Sequence, residues 1–119
     1  DWSRATYETV LHYCQNNPKP MVIDADALNI MASTASFVNI EDCVMTPHSG
    51  EAARLLNVSI EEIENNRFVF ARQLAERYHA TCVLKGPGTI IDDEKNSWVC
   101  RHGNPGMATA GMGDVLTGI

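Results

Sequence analysis

Apolar residues along this chain alternate between helix-type and strand-type spacing, and this alternation constrains the fold more than any other feature. Residues 3–15 carry apolar side chains at helical spacing, and Pro18 and Pro20 prevent that helix from continuing. Apolar runs of strand length stand at residues 21–23, 43–45 and 81–85. Helical patterns lie between them, at residues 49–56, from Ile60 and up to about His79. Strands joined through helical crossovers run parallel, so the pattern predicts an α/β fold with a mostly parallel sheet flanked by helices.

The pattern changes after the third apolar run. Residues 89–91 and 97–100 are strand-like and are separated by a polar turn, which predicts an antiparallel hairpin near one edge of the sheet. Ser59 and Glu62 fit a capping box and predict a helix start near Ile60. A further helix is expected to open at Gly113.

Charge and cysteine content narrow the class of protein. Nine Lys and Arg against fifteen Asp and Glu give a net charge of -6 without a basic cluster, which disfavours binding to nucleic acid or to an anionic membrane. No apolar run approaches membrane-spanning length. The four cysteines lack metal-site spacing, and each is interpreted as a small buried hydrophobe in a reducing cytoplasm. The chain begins without Met and stops within a predicted helix, so we expect part of one domain, truncated at both ends.

Polar segments follow three of the predicted strands, at residues 24–26, 46–48 and 85–89. Open parallel sheets bind ligands beyond the carboxyl ends of their strands, so we expect these segments to line one site. Asp24 and Asp26 could hold Mg²⁺ through water or orient a substrate hydroxyl. With equal weight, one could cap the following helix while the other is a solvated loop residue.

His48 and Glu51 form a second candidate pair. His48 follows a strand and could contact a ligand, and Glu51 would share its helix N-terminus. The structural alternative is favoured for such a pair taken alone, because a Glu near a helix start is stabilised by the helix dipole.

A glycine-rich stretch precedes the last predicted helix. Four of the chain's eight glycines lie within residues 103–113. Glycines there let backbone N–H groups approach an anion, and the helix N-terminus adds partial positive charge, which together predict a phosphate cradle. Asp114 beside a phosphate would serve as a base or hold a metal-bound water, although a helix-capping Asp is the alternative. The stretch fits neither the P-loop nor the GxGxxG pattern.

Four segments resemble, in order and spacing, the NAD(P)H-hydrate dehydratase family. They are DADALN at 24–29, TPHSGEAARLL at 46–56, VLKGPGT at 83–89 and GNPGMATAGMGDVLTGI at 103–119. The resemblance implies a ribokinase-like fold and an enzyme that uses ADP to dehydrate the S epimer of hydrated NADH or NADPH. It also implies that residues 1–119 are a partial dehydratase domain of a homo-oligomer, a domain that in many bacteria is fused behind an NAD(P)H-hydrate epimerase domain.

The resemblance assigns roles residue by residue. It implies that His48 and Asp114 bind the hydrated nicotinamide nucleotide, that Asp114 is the catalytic base, and that Glu51 binds Mg²⁺. The residues implied to bind the adenine nucleotide are Lys85, Gly86, Pro87, Gly88, Thr89 and Gly113. Ser49 stands where the family usually has proline, a change that removes no functional group. A ribokinase-like kinase for a vitamin-precursor alcohol and a non-catalytic nucleotide-binding module are the alternatives; His48 argues against the first and Asp114 against the second.

Overall fold

A five-stranded mixed sheet forms the centre of the computed structural model, which describes residues 2–34, 42–103 and 110–119. The strands lie in the sheet in chain order: β1 (Met21–Ile23), β2 (Cys43–Met45), β3 (Thr81–Leu84), β4 (Thr89–Asp92) and β5 (Ser97–Cys100). β1, β2 and β3 are parallel, whereas β4 pairs antiparallel with both β3 and β5. The predicted parallel sheet with an antiparallel pair at one edge is confirmed.

Six helices connect or flank these strands among the described residues. They are α1 (Trp2–Asn16), α2 (Asp26–Thr34), α3 (Ser49–Leu56), α4 (Ile60–Asn65), α5 (Arg67–Tyr78) and α6 (Met112–Gly118). α1 packs on α2, α2 packs on α3, and α5 packs against β3 and β4. The core between helices and sheet is closed to solvent; its largest fully buried apolar side chains include Leu28, Met45, Ile63, Leu74, Cys82 and Leu84. None of the helices described is long and apolar enough to cross a membrane.

Local sequence signals account for several helix ends. Ser59 caps α4, because its hydroxyl accepts from the N–H of Glu62 while the Glu62 carboxylate accepts from the N–H of Ser59, as the capping box predicts. The helices α3 and α5 end at Asn57 and His79, both in the left-handed conformation. The His79 cap stands directly before β3, whereas the Asn57 cap lies between α3 and α4.

The cysteines are partly as predicted. Cys43 and Cys82 are buried, and burial raises the pKa of the Cys82 thiol to about 12. The interpretation is wrong for Cys100, which is exposed, and Cys14 is only half-buried. Cys100 lies on β5, an edge strand whose residues are all exposed, so the strand pattern there did not imply burial.

Candidate active site

The carboxyl ends of β1, β2 and β3 lie side by side at one edge of the sheet. The Thr46 N–H donates to the Ile23 carbonyl at 3.1 Å, and the Lys85 N–H donates to the Pro47 carbonyl at 2.8 Å. These two bonds continue the strand pairing past the ends of the strands. They bring together the polar segments that follow the three strands, as the sequence predicted.

An ion pair between Asp24 and Lys85 links the two outer segments of this edge. The Lys85 Nζ lies 2.9 Å from Asp24 Oδ1, and the two side chains are 23% and 12% exposed, respectively. Burial alone would raise the pKa of Asp24, but hydrogen bonds from Lys85, the Ala25 N–H and Thr46, together with the Lys85 charge, lower it. Asp24 is therefore a carboxylate whose charge is strongly held at neutral pH.

The helix α6 packs onto this ion pair. The Thr117 hydroxyl lies 3.2 Å from Asp24 Oδ2 and 3.0 Å from the Gly113 carbonyl, so one side chain ties the helix to the pair. A Cβ added at Gly113 would lie 3.5 Å from Asp24 Oδ2 and 3.6 Å from Lys85 Nζ. Gly113 and Lys85, both predicted nucleotide contacts, are therefore neighbours in space although 28 residues apart in their numbers.

Asp114 lies in the first turn of α6 and its side chain is exposed. Gly111, in the left-handed conformation, occupies the N-cap position, and no side chain of the described residues makes a cap hydrogen bond to the helix. Within the described parts of the chain, the Asp114 carboxylate makes no hydrogen bond or ion pair. The helix-capping alternative for Asp114 is thus not the arrangement observed. Residues 104–109 of the predicted phosphate cradle lie outside the described residues.

His48 and Glu51 form the cap of α3. His48 Nδ1 accepts from the N–H groups of Gly50 at 3.0 Å and Glu51 at 3.3 Å, and Glu51 Oε2 accepts from the His48 N–H at 2.8 Å. Because Nδ1 acts as an acceptor, the ring proton is assigned to Nε2, which faces Glu51 Oε1 at 3.5 Å. The structural alternative for this pair is therefore realised, while the His48 side chain, 55% exposed, also remains open to a ligand.

The described residues do not present Mg²⁺ with a prepared carboxylate site. Glu51 is buried and both its oxygens face His48, and Asp24 is bound to Lys85 and Thr117. Across residues 2–34, 42–103 and 110–119, no three His, Cys, Asp or Glu side chains gather as metal ligands would. Mg²⁺ at nucleotide sites usually retains waters and binds the phosphates, so the ligand role of Glu51 stays a prediction.

The segment between β3 and β4, here called loop 85–89, projects from the same edge. Gly88 has φ of 65°, a left-handed angle that a residue without Cβ adopts readily. The Thr89 hydroxyl donates to the Gly86 carbonyl at 3.2 Å and closes the turn. Gly86 and Gly88 are exposed, and their N–H groups donate to no acceptor among the residues described. Free amide donors beside a lysine are suited to an anionic ligand.

Arg67, at the start of α5, holds this loop and was not identified from the sequence. Its guanidinium donates to the carbonyls of Pro87 at 2.5 Å, Gly88 at 3.3 Å and Leu84 at 3.1 Å. Thr117 was also missed as an individual contact, although it lies within a segment that resembles the family. No sequence pattern indicated the role of Arg67, because its partners are backbone carbonyls, which every residue carries.

Comparisons with known proteins show which family the chain belongs to. Residues 3–119 match the sequence model of the family described as NAD(P)H-hydrate dehydratase. The chain is 47% identical, over its whole length, to the bifunctional NAD(P)H-hydrate repair enzyme of Coxiella burnetii, of which it covers 23%. It is 40% identical over 88% of its length to the ADP-dependent (S)-NAD(P)H-hydrate dehydratase of Neisseria meningitidis, of which it covers 37%. The chain thus spans between about a quarter and two fifths of the length of these relatives.

Solved structures of two related proteins superpose on this chain. A ribokinase-like superfamily protein from Enterococcus faecalis superposes with a TM-score of 0.84 at 29% identity, covering 97% of this chain and 39% of that one. An ADP/ATP-dependent NAD(P)H-hydrate dehydratase from Bacillus subtilis, co-crystallised with ATP/Mg²⁺, superposes with a TM-score of 0.70 at 31% identity, covering 83% and 36%. The predicted ribokinase-like fold is confirmed. With a family match from residue 3 to residue 119, the chain belongs to the NAD(P)H-hydrate dehydratase family.

Proposed function

We propose that this chain forms part of the active site of an ADP-dependent dehydratase that restores NADH or NADPH from the S epimer of the hydrated cofactor. The observation that carries the proposal is the meeting of Asp24, Lys85 and Gly113 at the carboxyl edge of the sheet, in a chain of this family. The names of the relatives from N. meningitidis and B. subtilis support ADP or ATP as the co-substrate.

The proposed domain is larger than residues 1–119. The chain covers only 36% of the B. subtilis structure and 39% of the E. faecalis structure, which supports a partial domain. The bifunctional relatives support a second activity in the same polypeptide, which we propose to be the epimerase that interconverts the two hydrate epimers. A homo-oligomeric assembly and a cytoplasmic location stay predictions.

In the proposed reaction, loop 85–89 and Gly113 hold the adenine nucleotide and His48 holds the hydrated nicotinamide ring. The unpaired amide donors of Gly86 and Gly88 and the Lys85 ammonium offer the phosphates positive partners. The His48 side chain is 55% exposed, and its Nε2 proton, which faces Glu51 Oε1 at 3.5 Å, can be donated to a substrate oxygen, because Nδ1 is occupied by the cap of α3. This arrangement assigns His48 both a structural and a binding role.

Asp114 acts as the base. It takes the proton of the C6 hydroxyl, whose oxygen attacks the terminal phosphorus of ADP and displaces AMP. The C6–O bond of the phosphate ester then breaks, phosphate leaves, and loss of the C5 proton forms the ring double bond of the dihydronicotinamide. A carboxylate without a partner among the described residues is free to accept a proton, as this role requires.

Mg²⁺, when bound with the nucleotide, would neutralise phosphate charge. The co-crystallisation of the B. subtilis relative with ATP/Mg²⁺ supports its use. Glu51 is the proposed contact to this ion, through water, since both of its oxygens already face His48.

The test is a product analysis on the full-length protein that contains residues 1–119, supplied with hydrated NADPH and ADP. The proposal requires equal amounts of AMP, phosphate and NADPH, the last followed by the dihydronicotinamide absorbance. A kinase that stops after phosphoryl transfer would yield AMP and a stable phosphate ester without free phosphate. Nucleotide binding without any turnover would indicate a non-catalytic module, and either result would overturn the proposal.

A further inference from the structure

The guanidinium of Arg67 is surrounded by main-chain oxygen atoms of loop 85–89 and the strand before it. Nη1 donates to the Pro87 and Gly88 carbonyls, and Nη2 donates to the Leu84 carbonyl. No carboxylate pairs with Arg67 among the described residues, and its Nε is buried without a hydrogen-bond partner there. Within the described parts of the chain, these polar contacts of Arg67 are thus all to the backbone of residues 84–88.

The fit between Arg67 and the loop depends on Gly86. A Cβ at Gly86 would lie 2.7 Å from Nη2 of Arg67, shorter than real Cβ contacts, and a tight 3.1 Å from Cζ, so one of the groups would have to shift. Any side chain at this position would have to displace a guanidinium that three carbonyls hold. The glycine therefore permits the guanidinium to approach the backbone.

We infer that Arg67 is a positioning residue that fixes loop 85–89 in the conformation that binds the nucleotide. By gathering the loop carbonyls on the guanidinium, Arg67 leaves the Gly86 and Gly88 N–H groups as the unsatisfied polar groups of an exposed turn. A loop that keeps this shape before binding loses less conformational entropy when an anion binds. The inference rests on the proposed function, because it takes the adenine nucleotide as the ligand.

The same helix offers a matched control in Arg72. Arg72 also donates to several acceptors of the β4–β5 hairpin, namely the Asp92 carboxylate at 3.0 Å, the Ser97 hydroxyl at 3.1 Å and the Glu94 carbonyl. These partners lie at the hairpin turn, away from loop 85–89 along β4. Losing contacts of Arg72 would therefore lower stability without reaching the nucleotide loop.

The experiment compares Arg67→Lys and Arg72→Lys in the full-length protein, by calorimetric titration with ADP and by steady-state kinetics. Lysine keeps the positive charge but lacks the rigid planar guanidinium with which Arg67 contacts three carbonyls at once. We expect Arg67→Lys to weaken ADP binding and raise the KM for ADP by about tenfold or more, with kcat changed less than threefold. Arg72→Lys should lower the melting temperature while the dissociation constant for ADP changes less than twofold.

Two outcomes separate failure of this inference from failure of the proposed function. If the wild-type protein binds ADP and releases phosphate while Arg67→Lys binds ADP as tightly, Arg67 does not position the loop and the proposed function stands. If the wild-type protein binds no adenine nucleotide, both are overturned. Should Arg67→Lys unfold, Gly86→Ala provides the second test, since its methyl group must displace the guanidinium; unchanged ADP affinity there would also overturn the inference.

Discussion

Replacing Asp24 with Asn tests whether the ion pair with Lys85 stabilises the carboxyl edge of the sheet. Asp24 Oδ1 accepts from Lys85 at 2.9 Å and Oδ2 lies 3.2 Å from the Thr117 hydroxyl, so the substitution replaces an ion pair by a hydrogen bond from Lys85 to a neutral amide. Hydrogen bonds to charged groups contribute about 1.5–3 kcal/mol, and the variant leaves a largely buried ammonium without its counter-charge. We therefore expect Asp24→Asn to lower the free energy of unfolding by about 2 kcal/mol. In a domain of about 150–250 residues, this loss of stability corresponds to about 4–8 °C in melting temperature.

The direction of the Asp24 pKa shift determines how the stability difference between wild type and Asp24→Asn changes with pH. The folded state holds the pKa of Asp24 below its ordinary value, so the native carboxylate stabilises the fold above the unfolded-state pKa of about 3.9. That stabilisation is complete above about pH 5 and is lost as the pH falls through the lower, folded-state pKa. The asparagine variant lacks it at every pH. The difference in melting temperature between wild type and Asp24→Asn should accordingly shrink as the pH is lowered from 7 toward 3.

The assay is thermal unfolding of the full-length protein across that pH range, with Asp26→Asn as the control. Asp26 is exposed in the first turn of α2, two residues from Asp24, so the control makes the same change of charge with only a helix-dipole contribution of about 0.3–1 kcal/mol. Equal melting temperatures for Asp24→Asn and Asp26→Asn at pH 7 would refute the reasoning. A difference that persists undiminished at pH 3 would refute it as well.

Three further substitutions probe the proposed roles in the full-length protein. Asp114→Asn should reduce turnover by about 10² to 10⁴, the usual contribution of a positioned base, with the melting temperature and ADP affinity nearly unchanged; a loss below tenfold in steady-state kinetics would remove Asp114 from the mechanism. His48→Asn should retain the cap of α3, since Asn caps helices well, yet raise the KM for the hydrated nucleotide about tenfold. His48→Ala should raise this KM as well and also lower the free energy of unfolding by about 1 kcal/mol. Unchanged KM values in both variants would show that His48 serves only as the helix cap. Gly88→Val should weaken ADP binding measured by calorimetry, because φ of 65° is strained for a branched residue and an added Cβ would contact Val99. Unchanged ADP affinity would exclude loop 85–89 as the nucleotide site.

Periodicity predicted the order of elements because each element carries its signal locally. The helix α3 runs from Ser49 to Leu56 as expected, and α4 begins after the Ser59 cap. The strands β1 and β2 are only three residues long, yet they were recognisable as apolar runs that end on polar residues. Burial could not be derived in the same way for Cys100, since the exposure of β5 depends on its being the last strand of the sheet.

The sequence predicted which residues lie at the edge of the sheet better than it predicted the hydrogen bonds and ion pairs between them. The rule that ligand sites lie beyond the carboxyl ends of parallel strands placed Asp24, His48 and Lys85 at one edge, as observed. The sequence did not indicate that Asp24 pairs with Lys85 rather than with a metal or a helix cap, because those alternatives use the same carboxylate. Pairing across 61 positions is decided by tertiary geometry, which no local pattern encodes.

The ion pair leaves Lys85 able to serve a phosphate, and this follows from counting its donors. An ammonium group has three N–H donors, and Asp24 Oδ1 uses one of them at 2.9 Å. Asp24 therefore orients Lys85 without consuming it, while the Lys85 N–H is bonded to Pro47 and Arg67 holds the carbonyls at the other end of loop 85–89. Because both ends of the loop are fixed by groups outside it, the nucleotide proposed to bind there would meet donors already in place. An enzyme that must stabilise charge developing on a transferred phosphoryl group gains most from donors that need no rearrangement.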